Sequence, residues 1–200
     1  MAFDPVSQTL IANTTNIAMA VVLIPRVQYE AQRDSGQFPG REFARQAGTP
    51  YGMRRKPLVS PWSLPCIAPP WGQLAALDLS LDSPATAAPS RRLRWQVPLG
   101  STRDKAPWPL WFNWGMPNLG GPLLTATGLV FIAAATDDTI RAFDLHSGQR
   151  LWQSQLPAGG QASPVSYGVG GRQFIAIAAG GHGAMGTTRG DHVVAFALKP

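Results

Sequence analysis

The sequence predicts an all-β fold made of repeated antiparallel blades, which is the architecture of part of a β-propeller. Glycine and proline make up a fifth of the 200 residues, with 21 Gly and 19 Pro spread along the chain. This composition favours short strands joined by tight turns over long helices. In addition, a unit of strand, Asp-containing turn and Trp-bearing strand recurs, and self-similarity on this scale is typical of propellers and solenoids.

The N-terminal third contains two predicted strands and a long connection. Residues 8–12 and 17–24 are short runs with apolar residues, and each predicts a strand. Residues 28–60 are polar and rich in Gly, Arg and Pro, so we expect a long loop there, and loops of that length are usually functional or mobile. Residues 61–70 carry too many prolines to form a central strand.

The repeat follows this region. In the first copy, residues 74–79 are followed, after a polar interruption, by residues 93–98. In the second copy, residues 140–145 are followed by residues 151–157. Each copy has an Asp in its first strand and a Trp in its second. Residues 193–198 match the first strand again, so a third copy is predicted to begin there.

The second copy is the most complete and predicts most of a four-stranded antiparallel blade. Its strands are expected at residues 129–134, 139–145 and 149–156, with an intervening turn at residues 136–138. The second turn contains Gly148, which can supply the positive φ that a tight hairpin needs.

The basic charge of the chain does not predict a nucleic-acid interface. The formal net charge is +6, and part of it lies in two clusters, residues 54–56 and 91–94. A nucleic-acid site would interleave such cations with stacking aromatic residues, which neither cluster does. We therefore interpret both as solvated loop charge and expect no nucleic-acid partner, while attraction to an anionic membrane surface stays open.

The cysteine content and the apolar runs exclude several other structures. The single cysteine, Cys66, excludes an internal disulfide and a thiolate metal site, and is predicted to be a small buried apolar residue. The longest apolar run, residues 17–24, is far shorter than the about 20 residues of a membrane-spanning helix. The first residues lack the basic and apolar regions of a signal peptide.

The second copy carries a motif that resembles one known family. It has the pattern Ala142-x-Asp144-x-x-x-Gly148-x-x-x-Trp152, which is similar to the tryptophan docking motif of quinoprotein dehydrogenases. In that family the Trp packs between neighbouring blades, and the Asp and Gly shape the turn that aims it. Trp suits this role because it offers a large buried area and one hydrogen-bond donor. From the residues alone, Trp152 is simply a core residue.

Other segments extend this resemblance over essentially all 200 residues. Residues 156–164 and 180–191 strongly resemble the C-terminus of membrane-bound glucose dehydrogenases that use pyrroloquinoline quinone (PQQ). Residues 48–52, 65–72 and 115–122 match the same family. Quinate and shikimate dehydrogenases look nearly as similar. The resemblance implies that residues 1–200 are the C-terminal segment of a PQQ-binding, eight-bladed propeller domain with long loops.

The resemblance also implies a cofactor site. In this family PQQ lies on the propeller axis and is held by loops at one end of the blades. By position, Asp137 belongs to the polar network around the quinone and its divalent ion, and His182 with Gly183 lies near the cofactor. Asn16 and Leu119 are also placed facing it. Replacing Asp137 or His182 by Asn is expected to weaken PQQ binding and to leave the fold intact.

The residues by themselves leave plainer alternatives for this site. Asp137 beside Asp138 is the composition of an ordinary Asx turn. A lone histidine among glycines, such as His182, is often an incidental loop residue. Within this segment the resemblance assigns neither a catalytic residue nor a metal ligand.

The chemistry implied is the oxidation of an aldose hydroxyl, as in glucose to gluconolactone, or of a cyclic polyol such as quinate or shikimate. The cofactors would be PQQ with Ca²⁺ or Mg²⁺, and electrons would pass to ubiquinone on the periplasmic side of the bacterial inner membrane. The family's catalytic base and the metal ligands lie upstream, so this segment alone is expected to be inactive without the remaining blades.

A non-enzymatic propeller scaffold carrying the same docking repeat is the alternative. The glycine-rich loop at residues 180–183 and the segment at residues 118–122 favour the dehydrogenase, because a scaffold has no need of them.

Overall fold

The computed structural model describes residues 1–80 and 92–198. The chain divides into two compact units, of which the larger comprises Met1–Asn16 with Pro69–Pro200 and the smaller comprises Ile17–Ala68. The all-β prediction is confirmed, since strands dominate both units. The strands of the larger unit are β1 (Ala2–Asp4), β2 (Thr9–Thr15), β6 (Gly72–Asp78), β7 (Leu93–Pro98), β8 (Leu123–Leu124), β9 (Leu129–Ile132), β10 (Thr139–Asp144), β11 (Arg150–Gln155), β12 (Val165–Val169), β13 (Arg172–Ala179) and β14 (His192–Ala197).

These strands form three antiparallel sheets. Sheet I has the order β1-β2-β6-β7, sheet II has the order β11-β10-β9-β8, and sheet III has the order β12-β13-β14. The blade predicted for the second repeat copy is sheet II, with β9, β10 and β11 at the expected places and β8 completing it. The strand β9 ends two residues before the predicted position, because Ala134 has a φ of 36° and turns the chain out of the sheet.

The other predicted strands of the larger unit are also present. The first repeat copy forms β6 and β7, and the beginning of the third copy forms β14. Sheets II and III pack on a shared apolar core that excludes solvent. This core consists of Ala133, Ile140, Leu156, Ala158, Ile177 and Ala179.

The smaller unit corrects the expectation of a long loop at residues 28–60. A helix covers one face of a three-stranded sheet there, and its residue Tyr29 is buried. Tyr29 packs so closely over Gly52 that a Cβ at this glycine would lie 2.2 Å from the tyrosine ring. Its ring also meets that of Phe43 edge-on at 6.1 Å. The elements are β3 (Met19–Pro25), α1 (Arg26–Asp34), β4 (Glu42–Ala44) and β5 (Tyr51–Pro57), in the sheet order β3-β5-β4.

Two further expectations for the smaller unit were wrong. The basic residues 54–56 lie on strand β5 rather than in a loop, and Arg55 forms an ion pair with Glu42 at 2.8 Å. Cys66 is exposed rather than buried, because the proline-rich segment around it forms no strand that would cover it. That absence of a strand in residues 61–70 is as predicted.

Trp95 of sheet I packs against the turn that follows β10 of sheet II. The indole of Trp95 donates its Nε1–H to the carbonyl oxygen of Leu145 at 2.8 Å. Its ring lies against Gly148, where an added Cβ would come within 2.6 Å of the ring. Gly148 has a φ of 71°, so both its conformation and its lack of a side chain are required. The side chain of Asp144 closes this turn by accepting hydrogen bonds from the backbone N–H groups of the two residues after Leu145.

The motif assigned the docking role to Trp152, whereas the Trp that packs on the Gly148 turn is Trp95 of the first copy. Trp95 is 9% exposed. Trp152, expected to be a core residue, is 38% exposed. Its ring meets Phe196 of sheet III edge-on at 5.1 Å and Phe131 of sheet II edge-on at 6.5 Å.

We predict that Trp95→Ala lowers the free energy of unfolding by about 3–5 kcal/mol, because it empties a packed site and leaves a buried carbonyl without its donor. Gly148→Ala should also be destabilising, since its methyl group would overlap the indole. Chemical denaturation of each variant measures the effect. The matched control is Trp152→Ala, for which we expect less than half the loss because this ring is partly solvated. Equal losses for the two Trp variants would contradict the assignment of the junction to Trp95.

Candidate functional site

One end of the three sheets is built from connections that bond to one another in series. The N–H of Met116 donates to the carbonyl of Leu99 at 2.7 Å, and that of Leu119 donates to Ala134 at 2.9 Å. Further on, the N–H of Ala134 donates to Gly160, and that of Gly159 donates to Thr188, both at 2.9 Å. The loops that leave β7, β9, β11 and β13 are thereby tied together at this end.

The segment at residues 115–122 is locked to the end of β2 by Asn118. Its Nδ2 donates to the carbonyl of Thr14 at 2.7 Å, and its Oδ1 accepts from Asn13 at 2.7 Å. Glycines make the close approach possible, since a Cβ at Gly72 would lie 1.8 Å from the carbonyl oxygen of Met116. The sequence signature in this segment therefore has a packing role at this end of the sheets.

Asp137 is fully buried and is paired with a buried arginine. The Nη1 of Arg141 donates to Oδ1 of Asp137 at 3.0 Å, and Nη2 donates to Oδ2. The backbone N–H of Ser101 donates to Oδ2 at 2.7 Å. The Arg141 side chain is only 4% exposed, so the two charges compensate each other away from solvent. The plainer Asx-turn interpretation does not account for these contacts.

Asp138, which the sequence analysis did not single out, is also buried. Its Oδ2 accepts a hydrogen bond from the hydroxyl of Thr188, and its backbone N–H donates to Oδ2 of Asp104 at 2.9 Å. Burial raises the pKa of the Asp138 carboxyl, and the charges of Asp104 and Asp137 act in the same direction, against the Thr188 hydrogen bond and the charge of Lys105. Within the described part of the chain, its buried Oδ1 has no hydrogen-bond partner.

The glycine-rich loop at residues 180–190 folds back on itself. The N–H of His182 donates to Oγ1 of Thr187 at 2.7 Å, and that hydroxyl donates to Oε1 of Gln161 at 2.9 Å. Gly181 has a φ of 68°, and a Cβ there would lie 2.0 Å from the carbonyl oxygen of Thr188. This tight fold presents the side chain of His182 to solvent.

The structure places every predicted site residue in the connections at this one end. Leu119 follows β7, and its side chain is exposed. Asn16 follows β2, and its N–H donates to the carbonyl of Trp71 at 2.8 Å. His182 and Gly183 follow β13. Asp137 differs from these exposed residues, because it is enclosed by Arg141 and Ser101. The arrangement leaves an exposed surface whose backbone segments are joined by hydrogen bonds and which lies above a buried ion pair.

Residues 1–80 and 92–198 contain neither a cluster of metal-binding side chains nor a membrane-spanning helix. No group of three or more His, Cys, Asp or Glu side chains is placed to hold a metal ion within these residues. The same residues contain no helix that is long and apolar enough to cross a membrane.

A protein-family model described as glucose/ethanol/alcohol dehydrogenase, beta-propeller domain, of the PQQ type, matches residues 1–175. The chain belongs to this family. The predicted relationship to quinoprotein dehydrogenases and the propeller fold are thereby confirmed. The family consists of oxidoreductases, so the enzyme-family prediction is preferred over the scaffold alternative.

Curated relatives match nearly the whole chain. It is 40% identical to the quinoprotein glucose dehydrogenase of Escherichia coli (strain K12), over 99% of this chain and 25% of that protein. It is 38% identical to the glycerol dehydrogenase large subunit of Gluconobacter oxydans (strain 621H), over 99% of this chain and 28% of that protein. A probable quinate dehydrogenase (quinone) of Xanthomonas campestris pv. juglandis is 36% identical, over 99% of this chain and 25% of that protein. The chain thus spans about a quarter of the length of these relatives.

Solved structures support the fold. A europium-containing methanol dehydrogenase superposes with a TM-score of 0.61 at 20% identity, over 98% of this chain and 32% of that one. A quinohemoprotein alcohol dehydrogenase from Comamonas testosteroni gives a TM-score of 0.55 at 20% identity, over 98% of this chain and 25% of that one.

We predict that Asp137→Asn lowers the free energy of unfolding by about 3–5 kcal/mol, because it leaves the Arg141 charge buried without a counterion. This replaces the sequence-based expectation that the variant keeps its fold intact. Thermal and denaturant unfolding measure the loss. The control is the double variant Asp137→Leu with Arg141→Met, which removes both charges and should recover much of the stability. A single variant as stable as the parent chain would show that the pair is not buried as described.

Proposed function

We propose that this chain forms one wall of the cofactor site in a PQQ-dependent sugar or polyol dehydrogenase, as the C-terminal segment of its propeller domain. The observation that carries this proposal is the convergence of Asn16, Leu119, Asp137 and His182 at one end of the sheets, in connections that share backbone hydrogen bonds. Family membership supplies the cofactor class.

The residues at this end fit a flat, polyanionic quinone. The imidazole of His182 and the carboxamide of Asn16 are exposed donors suited to carbonyl or carboxylate oxygens. The glycines beside His182 let the loop fold closely against Thr188 and Arg189, and the exposed side chain of Leu119 offers an apolar contact. The buried pair of Asp137 and Arg141 keeps the underlying hairpin rigid.

Bound PQQ supplies a two-electron acceptor for the hydride of the substrate. In the proposed reaction a base outside this chain takes the hydroxyl proton, and the residues of this segment orient the cofactor and exclude water from one side. The Ca²⁺ or Mg²⁺ ligands are proposed to lie outside this segment as well, so no residue here is assigned a catalytic or metal-binding role.

The proposed substrate is an aldose such as glucose, which would be oxidised to its lactone, with a cyclic polyol such as quinate or shikimate as the alternative. The names of the relatives support both classes. By analogy with the family, we propose ubiquinone as the electron acceptor and the periplasmic side of the bacterial inner membrane as the location.

The test of the cofactor role is a PQQ titration of the complete apo-enzyme that carries this segment. We predict that His182→Asn weakens PQQ binding by about tenfold, because the shorter carboxamide cannot place a donor where the imidazole does, with unchanged thermal unfolding. The matched control is His146→Asn, because His146 is also exposed but lies at the opposite end of β10. Equal affinity for PQQ in both variants and the parent would refute the assignment of His182.

We further predict that the 200-residue chain by itself does not oxidise glucose or quinate when supplied with PQQ, Ca²⁺ or Mg²⁺ and a dye acceptor. The reason is that the proposed base lies outside it. Dye reduction above that of a protein-free reaction would mean that this segment contains the base.

A further inference from the structure

The side chain of Asp138 lies where three connections of the loop end meet. Its backbone N–H donates to Asp104 in the connection after β7, and its Oδ2 accepts from Thr188 in the glycine-rich loop. Beside it, the ammonium group of Lys105 donates to the carbonyl of Gly186 in the same loop. Two neighbouring segments therefore hold the loop by its side chain and by its backbone.

Thr188 is fixed from two directions by these contacts. Its carbonyl oxygen accepts the N–H of Gly159 at 2.9 Å, and its hydroxyl donates to Asp138. Such a restraint matters in this loop, because glycine has more backbone freedom to lose on ordering than any other residue. Within the same loop, Gly181 and Gly186 both adopt a positive φ.

The Asp138 carboxyl group lies in the interior, where an apolar side chain of similar size would be more stable. Asp138 is 8% exposed, and burial of a carboxyl group costs free energy unless hydrogen bonds compensate for it. Its Oδ1 has no hydrogen-bond partner within the described residues, so hydrogen bonds compensate only part of the free energy lost on burying the carboxyl. The carboxyl accepts its side-chain hydrogen bond from Thr188, which lies 50 residues away in sequence.

We propose that Asp138 is a positioning residue that holds the glycine-rich loop at residues 180–190, and with it His182, through its hydrogen bond with Thr188. The effect of this restraint on the cofactor rests on the function proposed above for His182. The restraint on the loop itself does not depend on it, and the two are separated experimentally below.

The first experiment measures amide hydrogen exchange of the chain by NMR. Three amides report on the loop, since Gly181, His182 and Gly190 donate to Gly159, Thr187 and Gly180, respectively. Asp138→Leu or Thr188→Val should speed their exchange by about tenfold, the effect of losing one hydrogen bond to a charged or buried group. Amides within β10 and β13 should not change.

Conservative variants distinguish positioning from a general structural effect. Asp138→Asn keeps an acceptor and Thr188→Ser keeps a donor, so both should retain the slow exchange of the parent. The double variant Asp138→Leu with Thr188→Val should exchange no faster than either single variant, because one shared interaction is lost in all three. Thr188 is at the surface, so its Val variant tests the contact even if Asp138→Leu does not fold.

Loop amides that exchange as slowly in Thr188→Val as in the parent would overturn the proposal, as would a uniform increase in exchange rate over the strands or additive effects in the double variant.

The second experiment is the PQQ titration of the complete enzyme. There, Asp138→Leu and Thr188→Val should weaken binding by up to about tenfold, whereas Asp138→Asn should not. Faster loop exchange with unchanged PQQ affinity would support the loop restraint and overturn the cofactor role given to His182.

Discussion

The arrangement of the larger unit depends on the contact between Trp95 and the turn at Gly148. A sheet edge or face left to itself exposes apolar surface, and each blade needs its neighbour to cover it. The indole covers a large area and its one polar atom is satisfied by Leu145. Asp144 closes the turn by its hydrogen bonds, and the missing side chain of Gly148 leaves room for the indole. A few residues therefore fix this contact between sheets I and II.

This junction, together with the core that sheets II and III share, brings the loops of different sheets together at the other end of the strands. Once the sheets are fixed in relation to one another, the connections beyond β7, β9 and β13 come within hydrogen-bond distance. Their mutual bonds leave little freedom to the backbone that carries Asp137 and His182. The site is therefore a consequence of blade packing, and its exposed side chains are presented by segments that are themselves restrained.

Much of this could be predicted from the sequence, because repeats and turn residues act locally. The strands of sheet II and the docking motif are examples. What could not be predicted depends on distant partners. Nothing in the pattern around Asp138 indicates a partner in the final loop, and the burial of Arg141 in a central strand has no local signal. The helix α1 and the strands β4 and β5 were missed because the apolar residues of this region, such as Tyr29, are widely spaced among polar ones.

The pairing of β2 with β6 has a consequence for how this fold can vary. Thr15 lies opposite Gly72 in the sheet, and Asn16 bonds to Trp71 immediately beyond. The smaller unit of Ile17–Ala68 is thus an insertion at the tip of a hairpin whose stem is already closed. Since loop length at a closed tip costs little free energy, we expect a change in the length of this insert to leave the register of sheet I unchanged.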